Sequence, residues 1–490
     1  MKPRVTIIEA CNDKALFAGW FKDRKTWAAW FVVLKALFGL PMNDADLVLF
    51  KQHTGRTASP SNGFREAWLC IGRRGGKSRI LALIAVFLAT FVNWASYLSP
   101  GEIGVIVIIA TDRRQARVIF KYIRALLKVP MLAKMVEHAT DEAIDLKNGL
   151  RIEIQTASFR SVRGHTVIAA LCDEIAFWRT DETSANPDRE ILDALRPAMA
   201  TIPGAMLLCA SSPYARRGTL YDAIRKHHGN DGSSVLAWKA DTRAMNATVP
   251  QRVIDEAYER DPASAAAEFG AEFRTDIESF VSREAVDAAI VPGRRELPPI
   301  SGITYHAFVD PSGGSSDAMT LAIAHRDKDG RAILDAVRER RPPFSPEAVV
   351  AEFAELLKSY RCHKCVGDHW GGEFVRQPFR SHGITYELSE KPKSDIYRDT
   401  LAPINSGKVE LLDLPRLTAQ LCGLERRTAR SGKDSIDHAP GAHDDIVNAV
   451  CGALVLAASG KAQLIVTSAV LARARMPMRT RAGNIPAYFR

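Results

Sequence analysis

The sequence has 490 residues and a formal net charge of +10, with 47% hydrophobic and 25% charged residues. These values are ordinary for a packed soluble protein, and the length allows two or three domains. The eight cysteines are scattered through the sequence, which predicts a reduced, intracellular protein and argues against a secreted, disulfide-bonded one. The positive charge favours a polyanionic partner.

The first stretch with recognisable chemistry is CIGRRGGKSR, which follows a strand-like run and precedes a helix-like one. It departs from the phosphate-loop pattern G-x-x-x-x-G-K-[ST], because Ile71 holds the place of the first glycine and Gly72 comes one position later. The rest of the pattern is present as Gly75, Gly76, Lys77 and Ser78. The glycines allow backbone N–H groups to approach phosphate oxygens, the lysine reaches terminal phosphates, and the serine hydroxyl can bind Mg²⁺. The strand–loop–helix order favours a nucleotide site over a basic turn.

The uncharged run from Ile80 to Gly101 is long enough to span a membrane. Polar residues dilute it, and a helix buried behind a phosphate loop has a similar composition. We therefore predict a buried helix and no membrane span.

A second motif, HTVIAALCDE, is an apolar strand that ends in Asp173 and Glu174. In nucleotide hydrolases an aspartate in this position organises Mg²⁺, and a neighbouring glutamate activates the attacking water. The alternative is a strand end with two solvated acids. Further strand-like runs, GVIVIIAT and AMLLCASSP, supply a sheet, and the second of them ends in Ser211 and Ser212. Together these motifs predict an ATPase.

Two arginines could neutralise charge on a γ-phosphate. Arg73 lies within the loop, and Arg163 precedes Glu174 by eleven residues. Either could act within its own chain or on a neighbouring subunit. The alternative for both is a solvated surface arginine.

The proline- and glycine-rich stretch from Val291 to Gly302 predicts a linker, after which three acidic motifs follow. FVDPSGG ends a strand at Asp310, VGDHWGG ends another at Asp368, and GAHDDIVNA opens a helix at Asp444 and Asp445. Carboxylates on three distant elements are typical of a ribonuclease H-like, two-metal nuclease that uses Mg²⁺ or Mn²⁺.

Each of these acids could instead cap a turn or a helix. Asp444 stands where a helix N-cap would, which leaves Asp445 as the first helical residue and favours it as the metal ligand. The pair Cys362 and Cys365 has no partner motif, so we interpret it as a coincidence rather than a zinc site.

The order of the motifs GRRGGKS, LCDE, FVDPSGG, VGDHWGG and GAHDDIVNA resembles the large terminase subunit of tailed bacteriophages and prophages, over about residues 45 to 460. The resemblance implies an N-terminal P-loop NTPase domain of the RecA/ASCE-like class followed by a ribonuclease H-like nuclease domain. It implies a motor that pumps double-stranded DNA into a preformed capsid and cuts concatemeric DNA. The expected segments are an N-terminal segment at 1–44, an ATPase domain at 45–290, a linker at 291–302, a nuclease domain at 303–460 and a basic tail at 461–490.

The resemblance also implies roles for single residues. Lys77 and Ser78 would bind ATP and Mg²⁺, with Arg73 as the loop arginine. Asp173 and Glu174 would be the metal and catalytic acids. Arg163 would act across a ring interface, and the nuclease acids would be Asp310, Asp368 and Asp444 or Asp445.

The implied partners are the portal protein, a small terminase subunit and further copies of the chain in a ring, with a monomeric form in solution left open. The implied location is the host cytoplasm, with transient binding to the procapsid portal. Two other functions are kept as alternatives: a helicase-nuclease of DNA repair, and a DNA-binding structural protein without catalytic activity.

Overall fold

The computed structural model describes residues 5–60, 62–156, 165–178, 187–315, 317–368, 373–428, 434–439 and 442–459. The chain divides into two compact units. The first comprises Met1–Val286 and Leu414–Asp444, and the second comprises Asp287–Asp413 and Asp445–Arg490. The predicted domain boundaries assign 303–460 to one domain, whereas Leu414–Asp444 here groups with the first unit.

The α-helices, numbered in chain order, are α1 Ile7–Asn12, α2 Ala28–Phe38, α3 Asp44–Thr54, α4 Lys77–Phe91, α5 Arg113–Leu127, α6 Pro130–Ala133, α7 Pro187–Met199, α8 Gly218–His227, α9 Thr242–Met245, α10 Gln251–Arg260, α11 Pro262–Glu268, α12 Arg283–Ala289, α13 Pro346–Ser359, α14 Glu373–Ser381, α15 Lys393–Asn405, α16 Pro415–Gly423 and α17 Asp445–Ser459. Short 3₁₀ turns cover Ala18–Trp20, Arg24–Trp27, Ala95–Tyr97 and Ile175–Phe177.

The strands are β1 Glu66–Ile71, β2 Gly104–Ala110, β3 Val136–Ala139, β4 Ala143–Leu146, β5 Leu150–Thr156, β6 Thr166–Asp173, β7 Met206–Ser211, β8 Val235–Ala240, β9 Ile277–Ser279, β10 Ile290–Val291, β11 Tyr305–Asp310, β12 Met319–Arg326, β13 Ala332–Arg340, β14 Lys364–Gly367, β15 Thr385–Leu388, β16 Val409–Leu412, β17 Leu424–Thr428 and β18 Asp434–His438.

The first unit contains a sheet whose described strands run in the order β3-β4-β5-β2-β6-β7-β1-β8. The strands from β5 to β8 in this order are parallel, and β3 and β4 form an antiparallel edge. The carboxyl ends of parallel strands lie at the same side of a sheet, so the loops that follow these strands lie close together. Since β7 lies between β1 and β6, the phosphate loop, the acidic pair and Ser211 lie at the carboxyl ends of three consecutive strands of the sheet, as expected for a RecA/ASCE-like domain.

The predicted helix after the phosphate loop is α4, and its residues from Ile80 to Ala89 are all buried. Its side chains belong to a core shared with α2, α5 and the sheet. This confirms the prediction of a buried helix. None of the described helices combines the length and the apolar character needed to cross a bilayer.

The second unit contains a sheet with the described order β10-β16-β13-β12-β11-β14-β15. Strands β11, β12 and β13 form an antiparallel meander, whereas β14 runs parallel to β11 and β15 runs parallel to β14. This is the central strand order of a ribonuclease H-like fold, so the predicted fold class of this part of the chain is confirmed. A smaller antiparallel sheet, β18-β17-β9, belongs to the first unit.

Helix α17 packs closely against the second sheet. A Cβ atom built on Gly452 would overlap the Phe308 ring of β11, with Cδ1 at 2.7 Å. Only glycine therefore permits this separation between helix and strand. The packing places the start of α17 beside the carboxyl ends of β11 and β14.

Candidate active sites

The phosphate loop has a backbone that requires its glycines. A Cβ atom on Gly72 would press on the Thr242 hydroxyl and lie 2.5 Å from the Phe269 carbonyl oxygen. Gly76 has a φ of 96°, in the left-handed region that favours glycine. Gly72, which lies one position later than the motif requires, is thus needed for the close approach to Thr242 and Phe269. Ile71, at the position of the motif's first glycine, is the buried last residue of β1.

Three side chains hold the loop's carbonyl groups. The Thr242 hydroxyl donates to the Arg73 carbonyl at 2.7 Å, and the Asn246 amide donates to the Arg74 carbonyl at 2.9 Å. The Trp30 indole N–H donates to the Gly75 carbonyl at 2.7 Å. The loop conformation is therefore set by protein contacts, which lowers the ordering cost when a ligand binds.

The N-terminal segment, whose role the sequence analysis leaves open, contributes to this support. Besides Trp30, it supplies Trp20 and Trp27, whose rings lie 5.1 and 4.8 Å from the Arg79 guanidinium carbon. Arg79 is in the first turn of α4, one residue after Ser78. The segment thus packs against the start of the phosphate-loop helix.

Lys77 lies at the centre of the site. Its side chain is only 6% exposed. The ammonium group donates to the Ile71 carbonyl at 3.0 Å and to the Ser212 hydroxyl at 3.1 Å, and it lies 3.6 Å from Glu174 Oε1. These contacts hold the ammonium group at the mouth of the loop, where a β- or γ-phosphate would sit.

Ser78 and Asp173 form the pair that fits a divalent cation. The Ser78 hydroxyl donates to Asp173 Oδ2 at 3.4 Å, and the Trp178 indole N–H donates to the Asp173 carbonyl at 3.0 Å. Within the described residues no donor reaches the buried Asp173 Oδ1. A buried carboxylate oxygen beside a hydroxyl suits Mg²⁺, which prefers oxygen ligands.

The Asp173 carboxyl is also electrostatically perturbed. Burial, together with the neighbouring charge of Glu174, raises the pKa of Asp173 from 3.8 to about 7, although the Lys77 ammonium acts in the opposite direction. A bound cation would favour the ionised carboxylate, so proton and metal compete for this group.

Glu174 is held by the end of β7. Its backbone has a left-handed φ of 50°. Its Oε2 accepts from the Ser211 hydroxyl at 3.0 Å and from the Ser212 backbone N–H at 3.2 Å. Because the carboxylate is oriented by two donors and remains partly exposed, it can act as a base towards a bound water.

Of the two arginines proposed to neutralise γ-phosphate charge, the structure describes only Arg73. The Arg73 side chain is 66% exposed and pairs with Glu268, with Nη1 and Oε2 separated by 3.0 Å. Arg163 lies outside the described residues, so its role stays a prediction.

The second site lies at the carboxyl ends of β11 and β14. Phe308 pairs with Val366 and Val309 with Gly367, so Asp310 and Asp368 are the next residues on two adjacent parallel strands. The pKa of the Tyr386 hydroxyl is raised mainly by burial, then by Cys365, and further by the charges of both carboxylates. The same hydroxyl donates to the Asp368 carbonyl at 3.1 Å.

Asp445 is brought to the same edge by α17. The helix begins at Asp445, and Thr320, which pairs with Asp310 across the sheet, donates its hydroxyl to the Asp445 carbonyl at 2.6 Å. One turn later, the Asn448 amide donates to Asp368 Oδ2 at 3.4 Å. Asp310, Asp368 and Asp445 therefore lie on adjoining elements.

Asn448 is a candidate site residue that the sequence motifs did not indicate. It is 1% exposed, and its Oδ1 atom has no hydrogen-bond partner within the described residues. Its spacing of three residues from Asp445 in an otherwise apolar helix is the signal that could have revealed it. An amide oxygen on a side chain that contacts Asp368 fits a site for a hard divalent cation.

Asp444 is placed differently from its neighbour. It is 5% exposed and groups with Asp437 and His438 of the first unit, with one ligand atom from each residue within 4.8 Å of the others. Among the described residues this is the one set of three that meets this distance. Asp310, Asp368 and Asp445, all among the described residues, do not form a set that meets this distance.

The cysteine pair is buried in the second unit. Burial raises the pKa of the Cys362 thiol to about 12, which opposes the thiolate form that zinc requires. The interpretation of the CHKC motif as a coincidence stays a prediction.

No family model matches the sequence, and neither does any curated protein. Solved structures similar to this chain include large terminases of bacteriophages. The large terminase of bacteriophage HK97 is 16% identical, with 87% of this chain and 99% of that one covered and a TM-score of 0.37. The large terminase of a thermophilic bacteriophage in complex with ADP is 12% identical, with coverages of 88% and 99% and a TM-score of 0.37.

The large terminase nuclease of another thermophilic phage, G20c, with bound magnesium is 18% identical. The match covers 36% of this chain and 96% of that one, with a TM-score of 0.31. At such identities and TM-scores, the likeness assigns no activity to this chain.

Proposed function

We propose that this protein is an ATP-driven motor and nuclease that translocates double-stranded DNA into a preformed capsid and cuts concatemeric DNA. The observation that supports the proposal is that two residue clusters suited to phosphate chemistry lie in separate units of one chain. The first unit holds Lys77 and Glu174 at a phosphate loop. The second holds Asp310 and Asp368 on adjacent strand ends.

At the first site, the backbone of Gly75 and Gly76 and the side chain of Lys77 would hold the phosphates of ATP. Ser78 and Asp173 would hold Mg²⁺, which neutralises charge on the phosphates. The chain's own residues would then orient the reaction: Glu174, fixed by the end of β7, accepts a proton from the attacking water. Arg73 and Arg163 are the proposed sources of positive charge.

At the second site, Asp310, Asp368 and Asp445 would hold Mg²⁺ or Mn²⁺, with Asp444 as the alternative to Asp445. Such ions supply an activated water and stabilise the leaving oxygen of a phosphodiester. Asn448 would position Asp368 through its amide. The buried start of α17 keeps Asp445 fixed relative to the strands.

The proposed partners are double-stranded DNA, a portal protein, a small terminase subunit and further copies of this chain in a ring. The proposed location is the cytoplasm of a bacterial host, with transient binding to the portal of a procapsid. A ring would allow Arg163 to act on a neighbour's nucleotide. Mixing Arg163→Ala with Glu174→Gln protein should then restore part of the ATPase activity on DNA, whereas activity that equals the sum of the separate variants would contradict action across subunits.

One experiment tests both sites on the same preparation. Glu174→Gln should abolish DNA-stimulated ATP hydrolysis and leave Mn²⁺-dependent plasmid cleavage largely intact. Asp310→Asn should do the reverse. The exposed acids Glu137 and Asp329 supply matched controls as Glu137→Gln and Asp329→Asn. Normal ATPase activity in Glu174→Gln, or normal cleavage in Asp310→Asn, would refute the corresponding site.

The alternatives make different predictions in the same assays. A repair helicase-nuclease would separate the strands of a forked duplex, whereas a packaging motor moves along intact duplex DNA. A DNA-binding structural protein would show neither hydrolysis nor cleavage.

A further inference from the structure

Three potential metal ligands meet in the first unit, where β18 ends and the chain approaches α17. They are Asp437, His438 and Asp444. One ligand atom of each lies within 4.8 Å of the others, and Asp444 is buried, with an exposed fraction of 5%. Neither the nucleotide site nor the proposed nuclease chemistry uses Asp437 or His438.

The His438 ring is oriented as in a metal-binding histidine. Its Nδ1 lies 2.9 Å from the Ala439 carbonyl oxygen, which can only accept, so Nδ1 carries the proton in the neutral ring. The lone pair is then on Nε2, which lies 3.8 Å from Asp437 Oδ1. In a metal-binding histidine, the ring nitrogen that does not bind the metal commonly donates a hydrogen bond to a backbone carbonyl, which fixes the tautomer and the orientation of the ring.

The backbone around His438 is fixed as well. Arg427 donates to the His438 carbonyl at 3.1 Å and to Glu425 Oε2 at 3.0 Å. Glu425 is fully buried and also accepts from the Tyr214 hydroxyl at 2.8 Å. These contacts hold β18 in place, so the ligands are positioned by a packed network and not by a free loop.

Two of the three proposed ligands are acidic, and one cationic side chain lies close to them. Asp437 and Asp444 are acidic, and Nε2 of the neutral His438 presents a lone pair to Asp437. The Arg427 guanidinium contacts the His438 carbonyl and pairs with Glu425, and it also interacts electrostatically with Asp437. Two carboxylate oxygens and one imidazole nitrogen suit a first-row transition ion better than Mg²⁺, which binds oxygen ligands almost exclusively.

We propose that Asp437, His438 and Asp444 bind one divalent metal ion, such as Zn²⁺, Mn²⁺ or Co²⁺, at a site distinct from the carboxylates of Asp310, Asp368 and Asp445. The ion would tie the end of β18 to the residue that precedes α17 in the chain. The proposal goes beyond the proposed function and does not depend on it.

The test uses Co²⁺ as the probe, since its visible absorption reports nitrogen and oxygen ligation. Full-length Asp310→Asn/Asp368→Asn protein serves as the background, because it weakens binding at the nuclease carboxylates. Titration with Co²⁺, together with equilibrium dialysis, should show one bound equivalent with visible bands. His438→Gln in the same background should lose that equivalent, or bind it at least ~10-fold more weakly, as expected when a metal-site residue is removed.

A matched control is His363→Gln, which changes an exposed histidine of the second unit. It should leave the Co²⁺ spectrum and stoichiometry unchanged. Asp437→Asn is a second variant that preserves size at a side chain that is 44% exposed, so it tests the site even where His438→Gln is poorly folded. Unchanged Co²⁺ binding in both His438→Gln and Asp437→Asn would overturn the proposal, whatever the outcome of the ATPase and cleavage assays.

Discussion

Ser212 connects the two charged groups of the proposed nucleotide site. Its hydroxyl accepts from Lys77, and its backbone N–H donates to Glu174. Lys77 and Glu174 themselves lie 3.6 Å apart, so the lysine partly neutralises the glutamate. A phosphate would compete for the lysine, and we expect the glutamate to become a better base when a nucleotide is bound.

The neighbouring residue, Ser211, provides a test of how Glu174 is oriented. Ser211→Ala removes the hydroxyl that donates to Glu174 Oε2 and leaves the Ser212 N–H in place. We expect kcat for ATP hydrolysis to fall about 10-fold with little change in KM, a loss smaller than the ~10² to 10⁴-fold contribution of a general base. Steady-state kinetics would measure this, with the exposed Ser359→Ala as control. A rise in KM at constant kcat would contradict an orienting role.

We expect Asp173 to give the metal-free protein a pH-dependent stability. Its pKa is raised from 3.8 to about 7, chiefly by burial. A raised pKa means that the stabilising contribution of this carboxyl is fully present below about pH 4 and is lost as the pH rises through 7. Asp173→Asn removes this dependence, so the variant should gain stability relative to wild type as the pH rises from about 5 to about 8.

Urea unfolding in the presence of EDTA, at several pH values, would measure the difference between the two proteins. A difference in unfolding free energy between Asp173→Asn and wild type that stays constant with pH would contradict this prediction. Because EDTA removes divalent cations, the measurement reports the proton alone and not competition with a metal.

At the scale of elements, α17 determines the geometry of the second site. It is buried along nearly its whole length, and Gly452 allows it to lie against Phe308. That packing brings Asp445 to the edge where β11 and β14 end. The helix therefore acts as the scaffold that sets one carboxylate relative to the other two.

Gly452→Ala tests this packing. The added methyl group would overlap the Phe308 ring. Overpacking typically costs about 1–3 kcal/mol, and the better helix propensity of alanine returns up to ~1 kcal/mol. We expect a net loss of stability of about 1–2 kcal/mol by denaturant unfolding, together with slower DNA cleavage.

Gly19→Ala is the matched control, because a Cβ atom there meets no other atom within 4 Å. It should leave both stability and cleavage close to wild type. Equal stability of the two variants would show that α17 can move away from the strand at no cost.

At the scale of the whole molecule, basic side chains differ in how far neighbouring acidic groups neutralise their charge. The 30 residues from Lys461 to Arg490 carry six basic residues and no acidic one, but they lie outside the described residues. On α5, Arg113 and Arg117 both pair with Glu142, at 3.1 and 3.3 Å, so their charge is partly neutralised. Arg114 on the same helix is exposed.

DNA binding should therefore be driven by phosphate contacts and be insensitive to base sequence. The logarithm of the affinity should fall with the logarithm of the salt concentration, with a slope of about −0.9 per phosphate contacted. Arg114→Ala should reduce the magnitude of this slope by at most ~0.9, and Arg252→Ala, at an exposed i,i+4 pair, is the control. Fluorescence anisotropy with two unrelated duplexes would measure it, and salt-independent binding would contradict the prediction.

Several features could be predicted from the sequence because they depend on residues that are close together in the chain. The phosphate loop with Lys77, the acidic pair after β6 and the start of α17 at Asp445 follow from the order of apolar runs, glycines and charges. The chain direction alone shows which residues lie at the carboxyl end of a strand. The signals that begin a helix lie within a few neighbouring residues. The same reasoning predicted the α/β class of both units.

Other features were decided only by the tertiary structure. Ser212 contacts Lys77, 135 residues earlier, and Asn448 contacts Asp368, 80 residues earlier. The separation of Asp444 from Asp445, one with Asp437 and His438 and the other beside β11, also has no signal in the local pattern. Such contacts depend on strand order and register, which are set by the packing of segments far apart in the sequence, so no short stretch of the chain contains the information that specifies them.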